Sequence, residues 1–137
     1  MFERILLAVD GSEHSRRAVA VAGDLARRYD GEVVVFHARE HELAWGTDVD
    51  LESAEEAREL VDGVVRELKD AGANARGEVV RVPLGNVPRA IVDAARAEDA
   101  GLIVVGTRGL SDWERLLLGS VAHKVVHLAP VPVLVVR

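Results

Sequence analysis

The chain has 137 residues, 49% hydrophobic and 29% charged, which suits a single domain over residues 1–137 with a real core and excludes a disordered chain. It has no cysteine, so disulfides and thiolate metal sites are excluded. The net charge of -6 argues against general nucleic-acid binding, which needs a basic face to displace counterions from phosphates.

The opening MFERILLAVDGS carries charge at once, and its apolar run is too short for a signal peptide or a membrane span, so a cytoplasmic location is expected. Ile5 to Val9 reads as a buried strand, ended by the turn Asp10-Gly11-Ser12. Ser12 is placed to cap a helix whose apolar face is Ala18, Val21, Ala22, Leu25 and Tyr29, with Asp30-Gly31 as its stop. Val33 to Phe36 is a second strand. Residues 39–50 show no period and read as a loop. Ala54, Ala57, Val61, Val64, Leu68 and Ala71 mark an amphipathic helix that Gly72 ends.

Glu78 to Val82 reads as a third strand. The stretch Pro83 to Pro88 turns the chain, with Asn86 as cap, into a helix bearing Ala90, Ile91, Ala94 and Ala95. Leu102 to Val105 is a fourth strand. Val121, Ala122, Val125 and Leu128 give a last helical face, and Pro130 and Pro132 lead into a fifth strand, Val133 to Val136. Strands and helices alternate, and the strands are apolar runs apart from Glu78 and Arg81 in the third. An open five-stranded parallel sheet with helices on both faces is therefore expected.

Ligands of such sheets sit beyond the carboxyl ends of the strands, where strand order reverses. The GxxxxGK[ST] phosphate loop is absent, and so is a GxGxxG turn after the first strand. A phospho-receiver site would need an acid after strand three, where Pro83-Leu84 stands instead. What remains is Gly106 to Ser120, GTRGLSDWERLLLGS. Gly106 and Gly109 bracket a turn directly after strand four, where glycine permits close backbone approach. Gly119-Ser120 opens the last helix, whose N–H groups and dipole favour anionic oxygens such as phosphate. Asp10, at the neighbouring strand end, is placed to meet a ribose hydroxyl or a hydrated Mg2+.

At these residues the chain resembles the universal stress protein family. The resemblance spans nearly the whole length, from Val9-Asp10-Gly11-Ser12 through Val104 to Gly109 and Leu117 to Val121, to the closing Pro132 to Val136. The ATP-binding branch of that family is marked by glycine, two residues, glycine, nine residues, glycine, then Ser or Thr. Gly106, Gly109, Gly119 and Ser120 match it in full. The resemblance implies a Rossmann-like sheet of order 3-2-1-4-5 and ATP, with Mg2+ or Mn2+, between strands one and four. It also implies a homodimer through the C-terminal strand 132–136.

By the same resemblance Ala8 and Val9 line the base pocket, the Ala38 backbone lies near adenine, and Asp10 meets the ribose or metal. Val105 and Gly106 flank the nucleoside, and Gly109, Gly119, Ser120 and Val121 hold phosphates. Two positions depart from the pattern: Ala38, where relatives often carry Val, and Ala122, where some carry a second hydroxyl.

Other residues read as follows. Arg108, between the glycines, is placed to reach a phosphate. Trp113 reads as packing within its own segment, and Trp45 as a lid over adenine. His123 and His127, four apart on a helix, lack a third metal ligand in the sequence and read as surface groups. His37 is expected to make a structural hydrogen bond at the end of its strand.

The function expected from this pattern is a cytoplasmic ATP-binding regulator of the stress response, a sensor or switch with little or no hydrolysis. A slow ATP hydrolase and an ATP-independent dimeric interaction module are the alternatives. No residue stands out for activating water, so no catalytic residue is assigned.

Overall fold

A computed structural model describes residues 1–107 and 119–137. The elements run β1 (Arg4–Ala8), α1 (Glu13–Arg28), β2 (Glu32–Ala44), β3 (Thr47–Asp50), α2 (Ala54–Asp70), β4 (Asn74–Pro83), α3 (Val87–Ala97), β5 (Leu102–Gly106), α4 (Ser120–Leu128) and β6 (Val133–Val136).

Local chemistry sets most of the boundaries. Ser12 Oγ accepts from the Ser15 N–H at 3.2 Å and starts α1. Ser53 does the same for Glu56 at 3.0 Å and starts α2. Gly72 ends α2 with a φ of +89°, a conformation open to glycine. Asn86 occupies the cap position of α3, but its side chain makes no capping bond; Pro88 in the first turn supplies the helix start instead.

The parallel strands lie in the order β4-β2-β1-β5-β6. This is the expected order 3-2-1-4-5 counted over parallel strands alone. Among the described residues the sheet has six strands rather than five, and it is mixed, because β3 runs antiparallel to β2. Residues 39–50 are thus not a loop. They extend β2 and form a hairpin through Trp45-Gly46, with φ of +55° and +77°. Two positive φ values in a two-residue connection match the twist that hairpins favour.

Alternation of side chains gives the sheet two apolar faces. Ile5, Leu7, Val33, Val35 and Val104 pack under α1 and α2, and Leu6, Val34, Phe36, Ile103 and Val105 pack under α3 and α4. These residues are almost wholly excluded from solvent, so burial on both faces is the main stabilising term. Gly77 lets α2 approach β4, since a Cβ there would stand 2.3 Å from Val61 Cγ1. Among the described residues no helix is long and apolar enough to cross a membrane.

Candidate functional site at the carboxyl ends of the strands

The chain leaves β1 for β2 on one side, while β5 lies on the other, so strand order reverses between β1 and β5. A cleft opens there. One cavity of about 320 Å³ is lined by Ala8, Val9, Asp10, Phe36, His37, Ala38, Glu40, Glu52, Gly85, Val87, Pro88, Ile91, Ser120, Val121 and Lys124. A smaller one of about 60 Å³ adds Ser12, Ser15, Val105, Gly106, Gly119 and Ala122, and shares Ala8, Val9, Asp10, Val87, Ile91 and Val121 with the first.

The structure brings nine of the expected site residues to this cleft: Ala8, Val9, Asp10, Ala38, Val105, Gly106, Gly119, Ser120 and Val121. Arg108, Gly109 and Trp113 lie outside the described residues. Trp45 sits at the hairpin turn, fully exposed, and does not line either cavity.

The backbone of β2 is the least ordinary part of the cleft. The Phe36 carbonyl accepts from the Val9 N–H at 2.9 Å, and the Glu40 carbonyl accepts from the Leu51 N–H at 2.9 Å. Both bonds lie on the edge of β2 that faces β1. Ala38, two residues from each, presents its N–H and C=O to the same edge. β1 ends at Ala8, and pairing with β3 starts only at His41. Among the described residues, neither Ala38 group on this edge has a backbone partner. One donor and one acceptor therefore stand side by side at the cavity wall.

At the other end of the cleft, Gly119 is the cap of α4 and has no side chain to occupy the first N–H groups. Those groups and the Ser120 hydroxyl are donors at a helix start, where the dipole favours negative charge. Between the two ends, Asp10 Oδ1 accepts from the Ser12 N–H at 2.9 Å, which steadies the turn at Gly11.

Sequence reasoning did not reach several wall residues. Glu40 Oε2 accepts from the Gly85 N–H at 2.9 Å and ties β2 to the turn before α3. Glu52 enters the wall through the segment after β3, where its Oε1 meets His37 Nε2 at 2.5 Å. His37 makes the structural bond expected of it, to the Val9 carbonyl at 2.7 Å, but in mid-strand rather than at a strand end. Lys124 lies one helical turn beyond Ser120, a spacing that could have suggested a shared face.

The hairpin is pinned from the α2 side of the sheet. Arg81 donates to Asp50 at 2.7 Å and to Asp48 at 2.8 Å, and His41 meets Asp48 at 2.8 Å. The hydrogen bond from Arg81, followed by that from His41, holds the Asp48 carboxyl below its ordinary range. Arg81 and then Arg39 do the same for Asp50. His123 and His127 stack edge to face with centroids 4.6 Å apart, and the described residues hold no cluster of three metal-ligating side chains.

Residues 1–137 match the model of the universal stress protein family over their full length. The chain belongs to this family. It is 41% identical over 137 residues to a universal stress protein of Thermus aquaticus, covering all of both chains. Among solved structures it resembles the universal stress protein of Archaeoglobus fulgidus in complex with dAMP, with a TM-score of 0.76 and 29% identity over the whole of both chains. A universal stress protein in complex with cAMP matches with a TM-score of 0.70 and 27% identity, covering 99% of this chain and 97% of that one. The universal stress protein fold is thus established for this chain, with β3 as an addition to the expected sheet.

Proposed function

We infer that this universal stress protein binds an adenine nucleotide, ATP by its glycine-serine pattern, and acts as a cytoplasmic sensor or switch in the stress response. The observation that carries this reading is the single cleft joining the Ala38 edge to the Gly119-Ser120 helix start. Adenine offers an acceptor at N1 and a donor at N6, which complement the Ala38 N–H and C=O. Ala8, Val9 and Ile91 supply the apolar walls that a base requires. The ribose then falls near Asp10, and the phosphates fall at α4. The adenine nucleotides bound by the two solved relatives support the base assignment.

The donor set also fits a hydrated Mg2+. Asp10 supplies one carboxylate in a site that would receive phosphate oxygens, and Mg2+ characteristically takes one or two carboxylates and keeps several waters. Asp10 steadies the Gly11 turn through Ser12, a role that suits binding more than water activation. A switch without turnover is accordingly preferred over a hydrolase.

A homodimer through β6 belongs to the same reading. The Thr107 N–H bonds to the Val136 carbonyl, and the Ile103 N–H to the Pro132 carbonyl, so even-numbered residues of this strand face β5. Val133 and Val135 turn their N–H groups to the outer edge, which a second copy would cover.

Calorimetric titration with Mg·ATP, ADP, AMP and cAMP tests the nucleotide reading. Binding by the wild type and its loss in Gly119→Val are expected; no binding at millimolar nucleotide would refute it. Mass spectrometry of the ligand after long incubation separates a switch, which leaves ATP intact, from a hydrolase. Val135→Pro removes an outward N–H without touching the β5 ladder, and sedimentation should then find a monomer.

A further inference from the structure

The register of β1 and β2 contains a substitution that explains why Ala38 is open. Ala8 pairs with Phe36, and the Val9 N–H bonds to the Phe36 carbonyl. A parallel ladder continued by one step would bond the Ala38 N–H to the Val9 carbonyl. That bond is not made. The Val9 carbonyl faces His37 Nδ1 at 2.7 Å instead. A carbonyl only accepts, so the proton of this contact resides on Nδ1. Nε2 faces Glu52 Oε1 at 2.5 Å, which holds the ring from its other side. The imidazole is 9% exposed, lies between the two partners, and lines the same cavity as Ala38.

We propose that His37 is a positioning residue for base recognition: its imidazole takes the Val9 carbonyl, held there by Glu52, so that the Ala38 N–H stays out of the sheet and available to the base. This rests on the nucleotide reading above and adds a residue that touches no ligand in it. The side chain acts as a stop in the ladder. Without it, β1 and β2 close by one more hydrogen bond and the base loses its donor. Glu52 sets the ring orientation from the segment after β3, so the hairpin contributes to the site without entering the cleft.

Amide exchange followed by NMR tests this in the nucleotide-free protein. The wild-type Ala38 amide is expected to exchange freely and to become protected when AMP is added. In His37→Leu the same amide should be protected without nucleotide. AMP affinity should fall about tenfold, the scale of one buried hydrogen bond, while affinity for ribose 5-phosphate stays unchanged. His37→Asn keeps a donor at the position of Nδ1 but loses the Glu52 contact, so its exchange and affinity should fall between those of the wild type and His37→Leu, close to those of Glu52→Ala.

An Ala38 amide that stays unprotected in His37→Leu, with AMP bound as in the wild type, overturns the proposal. An equal loss of AMP and ribose 5-phosphate affinity also overturns it, since that marks a general structural role. Should His37→Leu fail to fold, Glu52→Ala releases the ring more gently; it should raise Ala38 protection and weaken AMP alone, and no change in either refutes the role. If the wild type binds no nucleotide, the functional reading fails by itself, and the exchange comparison of nucleotide-free proteins still decides the role of His37.

Discussion

The two ends of the strands are built by opposite rules. At the amino end, backbone approaches backbone. A Cβ at Gly31 would stand 2.3 Å from the Phe2 carbonyl oxygen, and Phe2 meets Tyr29 edge to face at 5.2 Å. Charges close the same end: Arg76 bridges Glu32 at 3.2 Å and pairs with Glu98, while Arg4 donates to the Glu98 carbonyl at 2.7 Å. At the carboxyl end, β1 stops at Ala8, β2 runs on to Ala44, and a cavity of about 320 Å³ lies beside the gap. Close packing at one end stabilises the fold and lets the other end keep unpaired backbone groups. A substitution should therefore change stability at one end and ligand binding at the other.

The largest effect is expected from Gly31→Ala at the closed end. Phe2 and Glu3 must move away, and overpacking of this kind costs about 1–3 kcal/mol. Thermal unfolding should show a lowered Tm with nucleotide affinity retained; an unchanged Tm would remove the contrast. Ser120→Ala at the open end should behave inversely. Loss of one hydroxyl donor costs about 0.5–1.5 kcal/mol of binding, read by calorimetry, with Tm unaltered because Ser120 is exposed and is not the cap of α4.

Smaller effects sharpen the picture through pH. Asp48 and Asp50 have carboxyl pKa values lowered in the folded protein, chiefly by the hydrogen bond from Arg81. Their contribution is present above the ordinary carboxylate range and is lost as pH falls through the lowered values. Hairpin amides should thus lose protection relative to their intrinsic exchange rates in acid while those of β1 and β5 do not, and salt should weaken the difference because the cluster is exposed.

The smallest effect concerns Glu78, whose pKa is raised by burial and then by the charge of Glu98. A raised carboxyl is favourable below its ordinary pKa and unfavourable once it ionises in the folded state. Glu78→Gln should raise Tm slightly at neutral pH, and the gain should vanish in acid. A lower Tm at neutral pH would show that Glu78 serves as a partner of Arg76.

Much of this is legible in the sequence. Apolar runs marked five strands, and three-to-four spacing marked four helices, because both sheet faces had to be buried. The hairpin was not legible. Its turn places Trp45 where Asn or Asp usually signals a positive φ, and its strands are held by Arg81, far along the chain, rather than by an apolar pattern. Strand limits shifted for a similar reason: β4 starts at Asn74 rather than Glu78, because pairing with Glu32 to Phe36 extends it where hydrophobicity alone does not.

The sequence by itself determined the alternation, the apolar faces, and the glycines and serine at the site, because these depend on residue type at fixed spacing. Only the tertiary structure decided that Ala38 is open, that His37 occupies the Val9 carbonyl, and that Glu40 and Glu52 wall the cleft. A side chain declares its chemistry in one letter. The hydrogen-bond state of a backbone group depends on where a neighbouring strand stops, and no local pattern records that.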